Sequence, residues 1–139
     1  EVDFMPAGIS AAAEQVKAGK MRALAVVNPE PVNTLPNVPA ITDTLPEMAK
    51  FLPWGPFYGV FVRADVPDNV KETLTKAFAK AATDSTFLEL MANRGNVVMN
   101  MGGQEAVDFL EKWQQVTVWA LQDTGAAKVN PKDLGIPRP

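Results

Sequence analysis

The stretch FMPAGIS, residues 4–10, concentrates groups able to hold an anion. A short apolar run over residues 2–5 reads as a strand end, PAGIS as a turn, and Ser10 as the N-cap of a helix through AAAEQVKA. A strand that feeds a helix N-terminus gathers free backbone N–H groups and the positive end of the helix dipole, a setting that suits a carboxylate. Ala7, Gly8 and Ser10 are therefore the candidate binding residues of this turn. Gly8 lets a ligand approach the backbone closely, and Ser10 adds a hydroxyl donor. On the residues alone, an ordinary turn with a serine cap is the plainer account.

A second candidate lies in WGPFYG, residues 54–59. Trp54 at a cleft mouth could cover the apolar part of a ligand, although aromatic residues at strand starts more commonly belong to the core. Trp113 and Trp119 stand on a long helix and read as packing residues. Arg22 and Arg94 could clamp a carboxylate bidentately. Arg22 stands within an apolar strand, where arginine commonly finds a structural partner. Arg94 ends a helix, where a cation is expected for dipole reasons. Neither is assigned a binding role.

Other chemistry is poorly supplied. The chain has no histidine and no cysteine, so the usual general base near neutral pH, the thiolate nucleophile and the zinc–sulfur site are all missing. No Ser-x-x-Lys spacing, Walker loop or dinucleotide fingerprint occurs. No catalytic residue, cofactor or metal ligand is assigned, and the residues favour binding over catalysis. A formal net charge of −3 argues against a nucleic-acid partner held through its phosphates. No apolar run approaches the ~18–20 residues needed to span a bilayer. At 139 residues the chain is long enough for one ordinary domain.

The elements that must position these residues follow from periodicity and punctuation. Gly19 should close the first helix, and MRALAVV, residues 21–27, has the length and apolarity of a buried parallel strand. Strand, helix and strand joined by short turns form a βαβ unit, so the class is α/β. Residues 28–47 carry five prolines, a density that leaves room only for a helical turn near Ile41. Residues 57–62 read as a strand. The clearest helix covers residues 68–82, with Val70, Leu74 and Phe78 on one face and Glu72 and Lys76 paired at i,i+4. Ser85 is expected to cap a further helix, ended by Gly95. Residues 96–101 read as a strand, and a long helix runs from Gln104 to about Thr124, with Trp113 on its core face. The tail beyond Gly125 is expected to be irregular.

In order along the chain stand VKAGKMRALAV, LPNVPAITD, WGPFYGVF, VPDNV opening a helix, and a Trp-bearing helix after Gly102 and Gly103. This succession closely resembles the solute receptors of tripartite tricarboxylate transporters, the Bug family. The resemblance covers nearly the whole chain and rests on the order of the motifs rather than on any one of them. It departs at Ala7 and Gly8, where the family usually carries polar residues, at Val66 in place of a threonine, and at Asp43 in place of a glutamate. The first departure leaves the identity of the ligand open.

The resemblance implies a type II-like periplasmic binding protein of two α/β lobes around a cleft, which takes small carboxylates. Such receptors are about twice this length, and the match is to their C-terminal half. Residues 1–53 are then expected to belong to the second lobe. Residues 54–139 would form a hinge crossing and the C-terminal part of the first lobe, giving incomplete sheets flanked by helices. The implied partners are a small carboxylate and the membrane permease subunits of the transporter, in the periplasm. A piece of this kind should self-associate. The family position favours a ligand role for the turn at residues 7–10. The same two-lobe fold serves as the effector domain of transcription regulators and signalling receptors, which stands as the alternative.

Overall fold

The structure, a computed structural model, describes residues 3–139. Five α-helices order the described chain: α1 (Ile9–Lys17), α2 (Ile41–Thr44), α3 (Asp68–Ala81), α4 (Ser85–Asn93) and α5 (Gly103–Asp123). Two 3₁₀ turns accompany them, at Pro46–Phe51 and Pro131–Leu134. Val2 of the predicted first strand lies outside the described residues.

Helix ends follow local chemistry closely. At the end of α1 the N–H of Gly19 donates to Val16 O at 3.0 Å and that of Lys20 to Gln15 O at 2.9 Å, with Gly19 at φ +69°. This is the Schellman closure that the glycine suggested. The starts differ more from expectation. Gly8, not Ser10, is the N-cap of α1, and no side chain caps it. Ser10 lies one residue inside the helix, where its hydroxyl is not spent on the backbone end. Asp84 rather than Ser85 caps α4, its Oδ1 accepting from Phe87 N at 3.0 Å. A carboxylate at that position also meets the positive end of the helix dipole, which a hydroxyl does less well.

The predicted strands form no ladder among the described residues. A single parallel bridge joins Val26 to Ala40. There the N–H of Val26 donates to Pro39 O at 2.9 Å, and that of Ile41 to Val26 O at 2.8 Å. Asp43 fastens the junction, its Oδ2 accepting from Ala40 N at 3.0 Å, so this departure from the family pattern has a structural task. Residues 57–62 and 96–101 have the composition of buried strands, yet among the described residues neither pairs with another strand. A strand is stable only when partners satisfy its N–H and C=O groups. Their apolar side chains are correspondingly uncovered: Val60 is 74% exposed, Phe61 66% and Val97 64%. No strand forms among the described residues, so the incomplete sheets of the α/β expectation are not seen here.

Burial gathers in two places. Val26, Val32 and Leu35 form one cluster, with Ile9, Val16, Ala23 and Val38 packed around it. This ties α1 to the proline-rich loop. The other lies along α5, where Val116 is buried and Phe109, Leu110 and Trp113 are half-buried. Leu52 and Pro131 are buried in the turns that border this helix. Trp113 is thus less enclosed than its place on the apolar face of α5 suggested. The face of α3 is left open, with Val70, Leu74 and Phe78 still about two-fifths exposed.

The tail is more ordered than its composition suggested. Asn130 caps the second 3₁₀ turn, accepting from Lys132 N at 3.0 Å. The indole N–H of Trp119 donates to the carbonyls of Ile136 and Pro137, at 3.2 and 3.0 Å. Arg138 lies over the same ring and pairs with Asp123 at 2.6 Å. These contacts fold the last residues back along α5.

Candidate functional site

Two concavities among the described residues bear on ligand binding. The first is an open groove at the α3–α4 turn, lined by Ala77, Lys80, Ala81, Thr83, Asp84 and Phe87. Methyl groups and a phenyl ring dominate it, and its carboxylate is already engaged as the cap of α4. The second is an open cleft of about 620 Å³ lined by Ser10, Tyr58, Asn93, Arg94 and Asn96. Each of these side chains carries a hydrogen-bond donor, and none is acidic. Of the two, only this cleft is built to receive an anion.

Three local structures assemble it. The first turn of α1 supplies Ser10. Among the described residues, no protein acceptor meets the N–H of Ile9 or of Ser10, while those of Ala11 and Ala12 donate to Gly8 O at 3.0 and 3.1 Å. Two backbone donors and the positive end of the dipole therefore remain available here.

The end of α4 supplies Asn93, Arg94 and Asn96 in one run, NRGN. Gly95 takes φ +72°, and its N–H and that of Asn96 close the helix on Ala92 O and Met91 O, both at 2.9 Å. With those carbonyls satisfied by the backbone, the guanidinium of Arg94 is not required at the helix end. Among the described residues it also pairs with no acidic side chain. Asn96 Nδ2 meets only Met91 Sδ, at 3.9 Å, and a thioether is a weak acceptor.

Gly95 also brings these two pieces together. It is buried, and a Cβ on it would stand 2.9 Å from Ile9 Cγ2 and 3.3 Å from Ser10 N. The close approach of α4 to the start of α1 depends on there being no side chain at this point. The segment before α3 supplies the third piece, Tyr58, which is 92% exposed.

The four candidate residues read from sequence are placed as follows. Ser10 lines the cleft; Ala7 and Gly8 adjoin it in the chain, exposed, without being part of its wall. Trp54 is 54% exposed and does not line the cleft. Tyr58, Asn93, Arg94 and Asn96 were not chosen. The available signal was NRGN itself, three donor side chains set around a helix-closing glycine.

Among the described residues no group of three or more acidic side chains could hold a metal ion, and no helix is long and apolar enough to cross a membrane. Neither a curated protein nor a solved structure matches the chain. The family model of the tripartite tricarboxylate transporter family receptor does match, over residues 1–120, a span that includes all five residues of the cleft wall. The chain belongs to the tripartite tricarboxylate transporter receptor family.

Proposed function

We propose that this chain forms the carboxylate-holding half of an extracytoplasmic solute receptor, which takes a small carboxylate from the periplasm to the membrane permease subunits of its transporter. The family is one of periplasmic binding proteins that serve tripartite transporters. The observation that carries the ligand class is Arg94, free of any acidic partner among the described residues, beside Ser10 at the start of α1. A guanidinium can grip one carboxylate with two parallel bonds, and the amides of Ile9 and Ser10 add donors from a second direction.

The division into residues 1–53 and 54–139 fits this reading. Ser10 comes from the former, and Tyr58, Asn93, Arg94 and Asn96 from the latter. The cleft thus lies between the two parts assigned to different lobes. Residues 57–62 and 96–101 then correspond to sheet strands of the two-lobe fold.

Binding by the chain alone is weak because an open cleft surrounds only part of its ligand. An affinity near 1 mM, about −4 kcal/mol, is expected. Amide and guanidinium NMR signals followed during titration with citrate test the assignment. Shifts at Ser10, Arg94 and Asn96 are expected, with affinity reduced at least about tenfold in Arg94→Ala. Shifts confined to the α3–α4 groove, or an unchanged affinity in Arg94→Ala, would overturn it.

A further inference from the structure

Tyr58 differs from the rest of the cleft wall in having no helix of its own to stand on. Ser10 belongs to α1 and Asn93 to α4, with Arg94 and Asn96 fixed by the α4 closure, whereas Tyr58 projects from a segment that is neither helix nor strand. We infer that Trp113 is the positioning residue that aims Tyr58 into the cleft. This inference rests on the cleft being the carboxylate site.

One side chain grips the segment of Tyr58 at two points. The indole N–H of Trp113 donates to Gly55 O at 2.9 Å. Its ring meets that of Phe57 edge-on, with centroids 5.0 Å apart and planes at 78°. Phe109, one turn earlier on α5, meets the same phenyl ring at 5.6 Å and 86°. Gly55 stands at φ +120°, a conformation open to glycine, so its carbonyl can be presented to the indole. Phe57 is thereby held against α5.

The consequence for the next residue is geometric. Phe57 is committed to α5, and the very next side chain, Tyr58, lines the cleft. One residue separates the two, so the hold on Phe57 sets where Tyr58 starts. A phenol there can donate to a second oxygen of a di- or tricarboxylate while the ring covers the carbon chain between. Trp113 never meets the ligand; it fixes the direction from which Tyr58 does.

Tyr58 is the only tyrosine in the chain, so the protein labelled with ¹³C at the tyrosine ε carbons gives one ring signal to follow. In Trp113→Phe, which keeps a ring and removes the N–H donor, that signal should move towards the position of a free tyrosine in the unliganded protein. The citrate Kd should rise by about three- to tenfold, the effect of one lost hydrogen bond. In a Tyr58→Ala background the same substitution should change the Kd by less than about twofold, the signature of action through Tyr58.

A Tyr58 signal unmoved by Trp113→Phe, or an equal loss of affinity in both backgrounds, overturns the inference. If Trp113→Phe does not fold, as judged by circular dichroism, Phe109→Leu carries the same comparison. It removes one ring contact to Phe57 and leaves the indole bond in place. Failure of the unsubstituted protein to bind citrate counts against the carboxylate assignment alone, since the unliganded Tyr58 signal still reports the hold of Trp113.

Discussion

Gly95 lies so close to Ile9 that a methyl group on it would stand 2.9 Å from Ile9 Cγ2. That distance is shorter than any ordinary carbon–carbon contact. The glycine thus does two things: it closes α4 in the left-handed conformation, and it lets α4 reach the first turn of α1. The cleft depends on both, because Arg94 and Asn96 flank the glycine and Ser10 follows Ile9.

Gly95→Ala should separate these effects when set beside Gly125→Ala. Gly125 ends α5 at φ +74°, with nothing within 4 Å of its would-be Cβ. Alanine there carries only the left-handed penalty, about 1–2 kcal/mol. At Gly95 the clash adds to it, for a total of about 2–4 kcal/mol. Urea unfolding measures both, and equal losses would show that the contact with Ile9 is unimportant. Citrate affinity should fall in Gly95→Ala alone.

The cap of α4 offers a second test. Asp84→Ala removes the acceptor of Phe87 N and should cost about 1 kcal/mol. Ser85→Ala replaces a residue already inside the helix with a better helix former, and should be neutral or slightly stabilising. The reverse order in thermal unfolding would restore Ser85 as the cap.

Self-association is the third expectation. Among the described residues, 57–62 join no strand ladder and expose Val60 and Phe61, and 97–101 do the same with Val97 and Met99. Such segments are templates for pairing with another chain. Light scattering on the isolated chain should show dimers or larger species at micromolar concentration, dissociating on dilution. Replacing Val60 and Phe61 together by lysine should shift the population towards monomer. A wild-type monomer at high concentration would show that these segments find cover in some other way.

The helices and their ends were written locally, and the sequence determined them nearly alone. The apolar period of α5, Gly19 after α1, Gly95 after α4 and the Glu72–Lys76 pair, which meets at 2.6 Å, each involve residues a few positions apart. Their physics is contained within one or two turns. The succession of motifs along the chain likewise sufficed for the family. Caps were less legible, since Asp84 and Ser85 are both good N-cap residues and one position decides which is used.

What only the tertiary structure decided is which distant pieces meet. Nothing local indicates that NRGN at the end of α4 comes to lie beside the start of α1, because that depends on a missing side chain at Gly95 and on the position of Ile9. Arg94 therefore read as a helix-end cation, when the backbone N–H groups of Gly95 and Asn96 already close that end. The predicted strands show the same limit from the other side. Their composition specifies a buried strand, but pairing is a property of two backbones, and among the described residues only Val26 and Ala40 bring two together.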